Sequence, residues 1–381
     1  VEPTADVAVV GAGPAGAAAA LMLAPDHRVL LVDRLDAAAP PAARIGESLP
    51  GAARRLLRDM GLWEAFLAEG HVPRHGADSL WGGPDLVSAE SLRDLDGPGW
   101  HLDRARFDAW LRDRAVRRGA ALVAPARLAG LARDGAGWRL VLIRHGRELP
   151  VRARFVIEAG GRAAPVARAL GLARARHDRL ICRWLHGRAA GEAGRSFVAA
   201  EPDGWWYSAA LPGGRRVLAF HTDADLAAAR ETAGAAALLA RARMQPGLSA
   251  ILAATGFAPD GPPSVCAAHG GRPATVAGPG WLAVGDAALA CDPLSSQGLL
   301  NALYSALMAA DAVRAALAGE ADASEEYRRT IGRVAHAYRD HLAAWYDLED
   351  RWPAHPFWAR RRTAGQGVGA AGRRPERALR P

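Results

Sequence analysis

Gly285-Asp286 closes the apolar run WLAV (281–284) and is followed by the loop segment PLSSQG (293–298), which leads into a helical pattern. A strand ending this way brings one carboxylate and a row of unpaired backbone N–H groups to the same spot. The Asp286 carboxylate can hold the hydroxyls of a polyol chain. The N–H groups of Ser296, Gln297 and Gly298, just past Pro293, can face an electron-rich ring edge. That is a site for a flavin: Asp286 for the ribityl chain, the helix start for the N1–C2=O edge, where reduced flavin is anionic. The plainer alternative is a β-turn-α connection with a serine N-cap.

A second chemical feature lies at the other end of the chain. GAGPAG (11–16) follows the apolar run DVAVV (6–10) and opens an alanine-rich helix. Gly11 permits the tight turn, Gly13 lets backbone approach a pyrophosphate, and Gly16 lets helix and strand pack closely. Pro14 and Ala15 begin the helix, whose N-terminus favours phosphate charge. RVLLVD (28–33) is the next strand, and Asp33 at its end is placed to accept from ribose hydroxyls, with Arg34 beside it. GVGAAG (367–372) also fits GxGxxG, but no strand precedes it and an arginine-rich end follows, so it is a compositional accident. The first motif does not by itself separate nicotinamide from flavin. Asp286 and its loop do, and they point to FAD.

Composition narrows the remaining chemistry. None of the 48 basic residues is a lysine, so a mechanism needing a lysine amine is excluded. Cys182, Cys266 and Cys291 are odd in number, far apart and without metal-ligand spacing, which argues against a disulfide or zinc framework. No metal site is expected. The net charge of +8 does not imply a nucleic-acid partner, because seven arginines and one glutamate from 359 to 381 account for six of those charges. No signal peptide or membrane span is expected, and the expected location is the cytoplasm.

The elements that must position these groups give an α/β fold. It has a Rossmann-like FAD-binding domain (three-layer ββα), a smaller antiparallel-sheet substrate domain and C-terminal helices. The FAD-binding domain is expected from residues 1–75, 100–172 and 265–320, and the substrate domain from 76–99 and 173–264. A C-terminal helical segment (321–358) and a disordered basic tail (359–381) follow. Residues 103–118 form an amphipathic helix with Phe107, Trp110, Leu111 and Ala115 on one face. From 180 to 222 the period changes to two, giving an antiparallel wall. Trp184, His186, Trp206, Tyr207 and His221 on that wall are the candidates for a substrate pocket. The last long helix carries Tyr327, Ile331, Val334, Tyr338, Leu342 and Trp345 as a core stripe.

GAGPAG, RIGESLPGAARRLL (44–57), GWHLDRARFDAWL (99–111), FVIEAGGRAAPVAR (155–168) and the 281–301 segment run nearly end to end. Together they resemble the FAD monooxygenases of the para-hydroxybenzoate hydroxylase type, and more closely the tryptophan-halogenase-like superfamily. The resemblance implies that Arg44, Glu47 and Ser48 line the flavin loop and that Arg104 reaches the phosphate or adenine side. EAGGR (158–162) stands where relatives usually carry an Asp-Ala-Thr-Gly run, which leaves the role of Glu158 open. SLWGG (79–83), GWWYSAALPGGRRVLAFHTDAD (204–225) and RWPAHPFWARR (351–361) are similar to flavoprotein maturases that oxygenate a tryptophan in a partner polypeptide.

Halogenases of this superfamily carry a Trp-x-Trp-x-Ile-Pro stretch and a catalytic lysine. Here the stretch reads WWYSAA (205–210) and lysine is absent, which argues against halogenation. The expected reaction is hydroxylation of an aromatic, indole-type ring through a flavin C4a-hydroperoxide. It needs FAD, O₂ and electrons from NAD(P)H or a separate flavin reductase. The substrate is a small aromatic molecule or a peptide or protein side chain. Rival readings are a reductase or dehydrogenase of the geranylgeranyl-reductase type and a flavin-binding protein that only chaperones another polypeptide.

Overall fold

Residues Thr4–Val10 form a strand whose Val7, Ala8 and Val9 are all fully buried, the pattern of a central strand covered on both faces. It pairs in parallel with Val29–Val32 on one side and Arg147–Glu158 on the other. The sheet continues to Ala121–Val123 at one edge and to Trp281–Ala283 and Ala277–Gly278 at the other. A hairpin of Ala126–Asp134 and Gly137–Arg144 attaches antiparallel to Arg147–Glu158. Helices Pro14–Leu23, Arg104–Arg117 and Gly298–Ala318 pack together against this sheet. The alanines of the first helix make the close approach possible, since Ala17 to Ala20 have no exposed surface. The computed structural model describes residues 3–36, 43–91, 94–191 and 194–365.

The second sheet runs Leu180–Arg188, Arg215–Asp223, Gly204–Leu211, Arg195–Glu201, Gly76–Leu80, Val87–Glu90, with Ala258–Pro259 and Ser264–Ala267 beside the first strand. Its pairings are antiparallel except that of Arg195–Glu201 with Gly76–Leu80. Alternation gives the sheet two apolar faces. Cys182, Trp184, Trp205 and Ala219 lie on one, packed with Trp81, Tyr346, Phe357 and Trp358. Leu185, Phe197, Trp206, Leu218 and Phe220 lie on the other, covered by helices Ala235–Met244 and Pro246–Thr255.

Three expectations are corrected here. Ser264–Ala267 belongs to the second sheet, so the chain returns to the first unit after 267 rather than at 265. Trp345 is 42% exposed, and Tyr346, one residue on, takes the buried position of the stripe on helix Ala323–Leu348. The expected disordered tail begins instead as helix Pro356–Gly365, and residues 366–381, with the second GxGxxG match, lie outside the described residues. That helix is tied down by charge. Arg360 and Arg361 donate to the buried Asp223 carboxylate at 3.0 and 2.8 Å.

No helix among the described residues is long and apolar enough to cross a membrane.

Candidate active site

A cavity of about 660 Å³ runs from the glycine turn of the first sheet to the inner face of the second. At the turn the three glycines do different things. Gly11 has φ +113°, and a Cβ there would meet the Ala159 carbonyl oxygen at 2.3 Å. A Cβ on Gly16 would sit 1.8 Å from the Gly11 oxygen, so Gly16 serves the packing and does not line the cavity. Gly13 has nothing within 4 Å of its hypothetical Cβ, which leaves backbone open to a ligand. Pro14, Ala15, Asp33 and Arg34 line the same space. The Asp33 carboxylate accepts from the N–H of Ala12 (2.5 Å) and of Leu35 (2.8 Å), which fixes it at the strand end. An open glycine cradle beside a fixed carboxylate fits the phosphate and ribose portion of FAD.

Further along, Arg44, Glu47 and Ser48 line the cavity. Arg104 also reaches it, but its guanidinium is spent on the loop: it donates to the carbonyls of Ile45 (3.1 Å) and Gly46 (2.8 Å) and to Asp108 (3.2 Å). Asp108 is buried and pairs with Arg44 as well, at 3.3 Å. The loop is therefore held from the Arg104–Arg117 helix.

Gly285, Asp286, Pro293, Ser296 and Gly298 form the far side. Two of the three expected N–H donors are engaged within the loop: Ser296 donates to the Pro293 carbonyl (2.9 Å) and Gln297 to Ser295 Oγ (3.4 Å). Gln297 does not line the cavity, whereas Gly298, the first helical residue, does, with open space where a Cβ would lie. The Asp286 carboxylate is paired with Arg162, which also donates to the carbonyls of Cys291 (3.0 Å) and His269 (3.3 Å). Glu158, left open by the sequence, is a structural anchor. It is fully buried and accepts from the N–H groups of Gly160 (2.7 Å), Val166 (2.5 Å) and Ala167 (3.2 Å), binding the turn to the start of helix Pro165–Ala169. Burial pushes its carboxyl up to about 7, against those three donors.

The second sheet supplies the remaining wall. Tyr207 and His221 line the cavity, but Trp206 does not. Its ring lies on the opposite face against Phe220, and its N–H donates to Glu201 at 2.7 Å. Neighbouring residues in a strand point to opposite faces, so Trp206 and Tyr207 cannot share one wall. Trp205 takes the place, stacked on His221 with ring centroids 3.6 Å apart and planes 5° from parallel. The indole Nε1 of Trp205, the Tyr207 hydroxyl and His221 Nδ1 have no hydrogen-bond partner among the described residues. Burial lowers the His221 pKa to about 3, so the ring is neutral. Trp184 and His186 sit on the same face but outside the cavity lining, and His186 Nε2 meets Glu47 Oε1 at 3.0 Å.

Residues 4–211 match the family described as FAD binding domain, and residues 218–370 match tryptophan halogenase. The chain belongs to the tryptophan-halogenase-like FAD-dependent oxidoreductases. Within this family it is 30% identical to the FAD-dependent oxidoreductase LodB of Marinomonas mediterranea, over 93% of this chain and 96% of that one. The myxobacterial chondrochloren halogenase CndH is 27% identical, with TM-score 0.85 over 94% of this chain and 86% of that one. QhpG, a peptidyl tryptophan dihydroxylase of tryptophylquinone cofactor biogenesis, is 27% identical, with TM-score 0.73 over 95% and 79%. The family thus holds both halogenating and hydroxylating enzymes.

Sequence reasoning missed several residues of this oxidoreductase site. Trp205 was readable from strand alternation, being two residues from Tyr207. Arg162 and Asp108 were not readable, because each acts through a partner distant in the chain.

Proposed function

We propose that this oxidoreductase is an FAD-dependent monooxygenase that hydroxylates an indole-type ring, carried by a small molecule or by a peptide. The observation that carries the reading is the make-up of the cavity wall: the aromatic side chains of Trp205 and Tyr207 line the same chamber as Glu47, whose carboxylate is buried. Aromatic walls contribute about 0.5–1.5 kcal/mol per ring pair beyond area burial, which favours a flat aromatic ring in the chamber. The absence of lysine and the likeness to QhpG support hydroxylation over halogenation.

Bound here, FAD would supply an electrophilic oxygen, given O₂ and electrons from NAD(P)H or a separate reductase. Gly13, Asp33, Asp286 and Gly298 would hold that group, with Arg162 fixing Asp286. Glu47 is the proposed acceptor of the ring proton released as oxygen is added, and His186 is its positioning partner. The buried walls keep water from the reacting ring.

The test is mass spectrometry of tryptophan and tryptophan-containing peptides after turnover. Gain of oxygen is expected; gain of chlorine or bromine, or loss or gain of hydrogen alone, contradicts the reading.

A further inference from the structure

Cys182 and Cys266, distant in the chain, are directly opposite each other on the antiparallel strands Leu180–Arg188 and Ser264–Ala267. Both line the cavity that Trp205, His221 and Asp286 also line. Opposed residues on antiparallel strands have Cα atoms about 4.5–5.5 Å apart. A disulfide spans about 4.4–6.8 Å between Cα atoms, so the two sulfurs can join without rearranging the sheet. Both are free thiols here.

The two thiols differ. Burial pushes Cys182 well above the ordinary thiol range. Cys266 is shifted the other way, first by a hydrogen bond from Cys182 and further by the Arg162 guanidinium, against partial burial. Cys266 is therefore the nucleophile of the pair and Cys182 the resolving thiol. Cys291 also lines the cavity, but burial and the nearby Asp286 charge push its thiol up. It serves as an internal control.

We propose that Cys182 and Cys266 form a peroxide-consuming dithiol in the wall of the flavin chamber. The oxidant is hydrogen peroxide, released when reduced flavin reacts with O₂ and no substrate takes the oxygen. The Cys266 thiolate attacks one peroxide oxygen and the O–O bond breaks. Hydroxide leaves, gains a proton and becomes water, and Cys266 carries a sulfenic acid. The Cys182 sulfur then attacks the Cys266 sulfur and the S–O bond breaks. The departing hydroxide takes the Cys182 proton as a second water. Two thiols lose two electrons and one peroxide gains them. The bridge pins the edge strand Ser264–Ala267 to its neighbour until a dithiol reductant reopens it.

The pairing does not depend on which ring the enzyme oxidises, so the test supplies peroxide directly. The full FAD-loaded chain is reduced, treated with one equivalent of hydrogen peroxide, alkylated and mapped by mass spectrometry. A cross-linked Cys182–Cys266 peptide is expected, with Cys291 alkylated and reacting on the order of tenfold more slowly. Cys182→Ser should leave a sulfenic acid on Cys266 that a dimedone probe traps, whereas Cys266→Ser should leave Cys182 alkylated. Three alkylated cysteines after treatment, or a bridge that involves Cys291 or a second molecule, overturn the proposal. So does absence of the Cys266 sulfenic acid in Cys182→Ser.

Discussion

The imidazole of His186 meets the carboxylate of Glu47 at 3.0 Å, joining the wall of the second sheet to the loop that borders the first. The other Glu47 oxygen accepts from the Gly46 N–H at 2.9 Å. A carboxylate held at both oxygens, 1% exposed and lining the cavity, is fixed for one task.

Glu47→Gln keeps the shape and removes the proton acceptor. It is expected to lower kcat by about 10²–10⁴-fold while FAD content stays that of the wild type. His186→Asn should lower kcat with KM unchanged, a split that a merely structural histidine would not give. Unchanged kcat in the glutamine variant removes Glu47 from the mechanism.

The two adjacent tryptophans should separate cleanly. Trp206 is fully buried under the helices on the outer face, so Trp206→Ala is expected to cost about 3–5 kcal/mol of stability. Trp205→Phe keeps most of the packing but loses the free N–H, and is expected to raise KM with a small change in Tm. Denaturant unfolding and steady-state kinetics on both variants check this. A raised KM in a stable Trp206 variant would reverse the facing of the strand.

Gly13→Ala and Gly16→Ala make a second contrast. A methyl on Gly13 enters open space, so the protein is expected to fold with near-normal stability and bind FAD weakly, read by flavin fluorescence on titration. A methyl on Gly16 collides with the Gly11 carbonyl, so loss of folding is expected. Full FAD affinity in Gly13→Ala would place the phosphates elsewhere.

His71 packs against Phe66 and Phe107, with ring centroids 5.3 and 6.0 Å away. Burial, reinforced by Arg106, lowers its pKa from 6.5 to about 4. Well above 6.5 the ring is neutral in both states and contributes nothing to pH dependence. As pH falls from 6.5 towards 4 the unfolded chain takes up a proton that the folded protein refuses, so stability is lost. The loss reaches about 2 kcal/mol near pH 5. His71→Phe should gain that amount relative to wild type between about pH 7.5 and about pH 5 in urea unfolding. An equal difference at both pH values rules out the buried neutral histidine.

The glycine turn, Asp33 and the Asp286 loop were legible because local rules govern them. A strand, a turn that needs positive φ and a helix start leave their mark within a few residues. The two faces of the second sheet were legible in principle from period-two alternation, yet choosing Trp206 with Tyr207 broke that rule. Glu158 became clear only in three dimensions, since its partners Val166 and Ala167 belong to the following helix. The meeting of Cys182 with Cys266, and of Arg162 with Asp286, depends on strand register and chain crossing, which spacing in the sequence does not encode.

The central claim, oxygen transfer to an indole-type ring, is tested most directly with heavy-isotope O₂. The FAD-loaded enzyme is given a flavin reductase, NADH and either free tryptophan or a tryptophan-containing peptide, and the product is analysed by tandem mass spectrometry. One or more heavy oxygen atoms on the indole ring is the expected result. Free tryptophan and the peptide both left unchanged in mass under these conditions, or oxygen that carries the isotope of water rather than of O₂, would contradict the account.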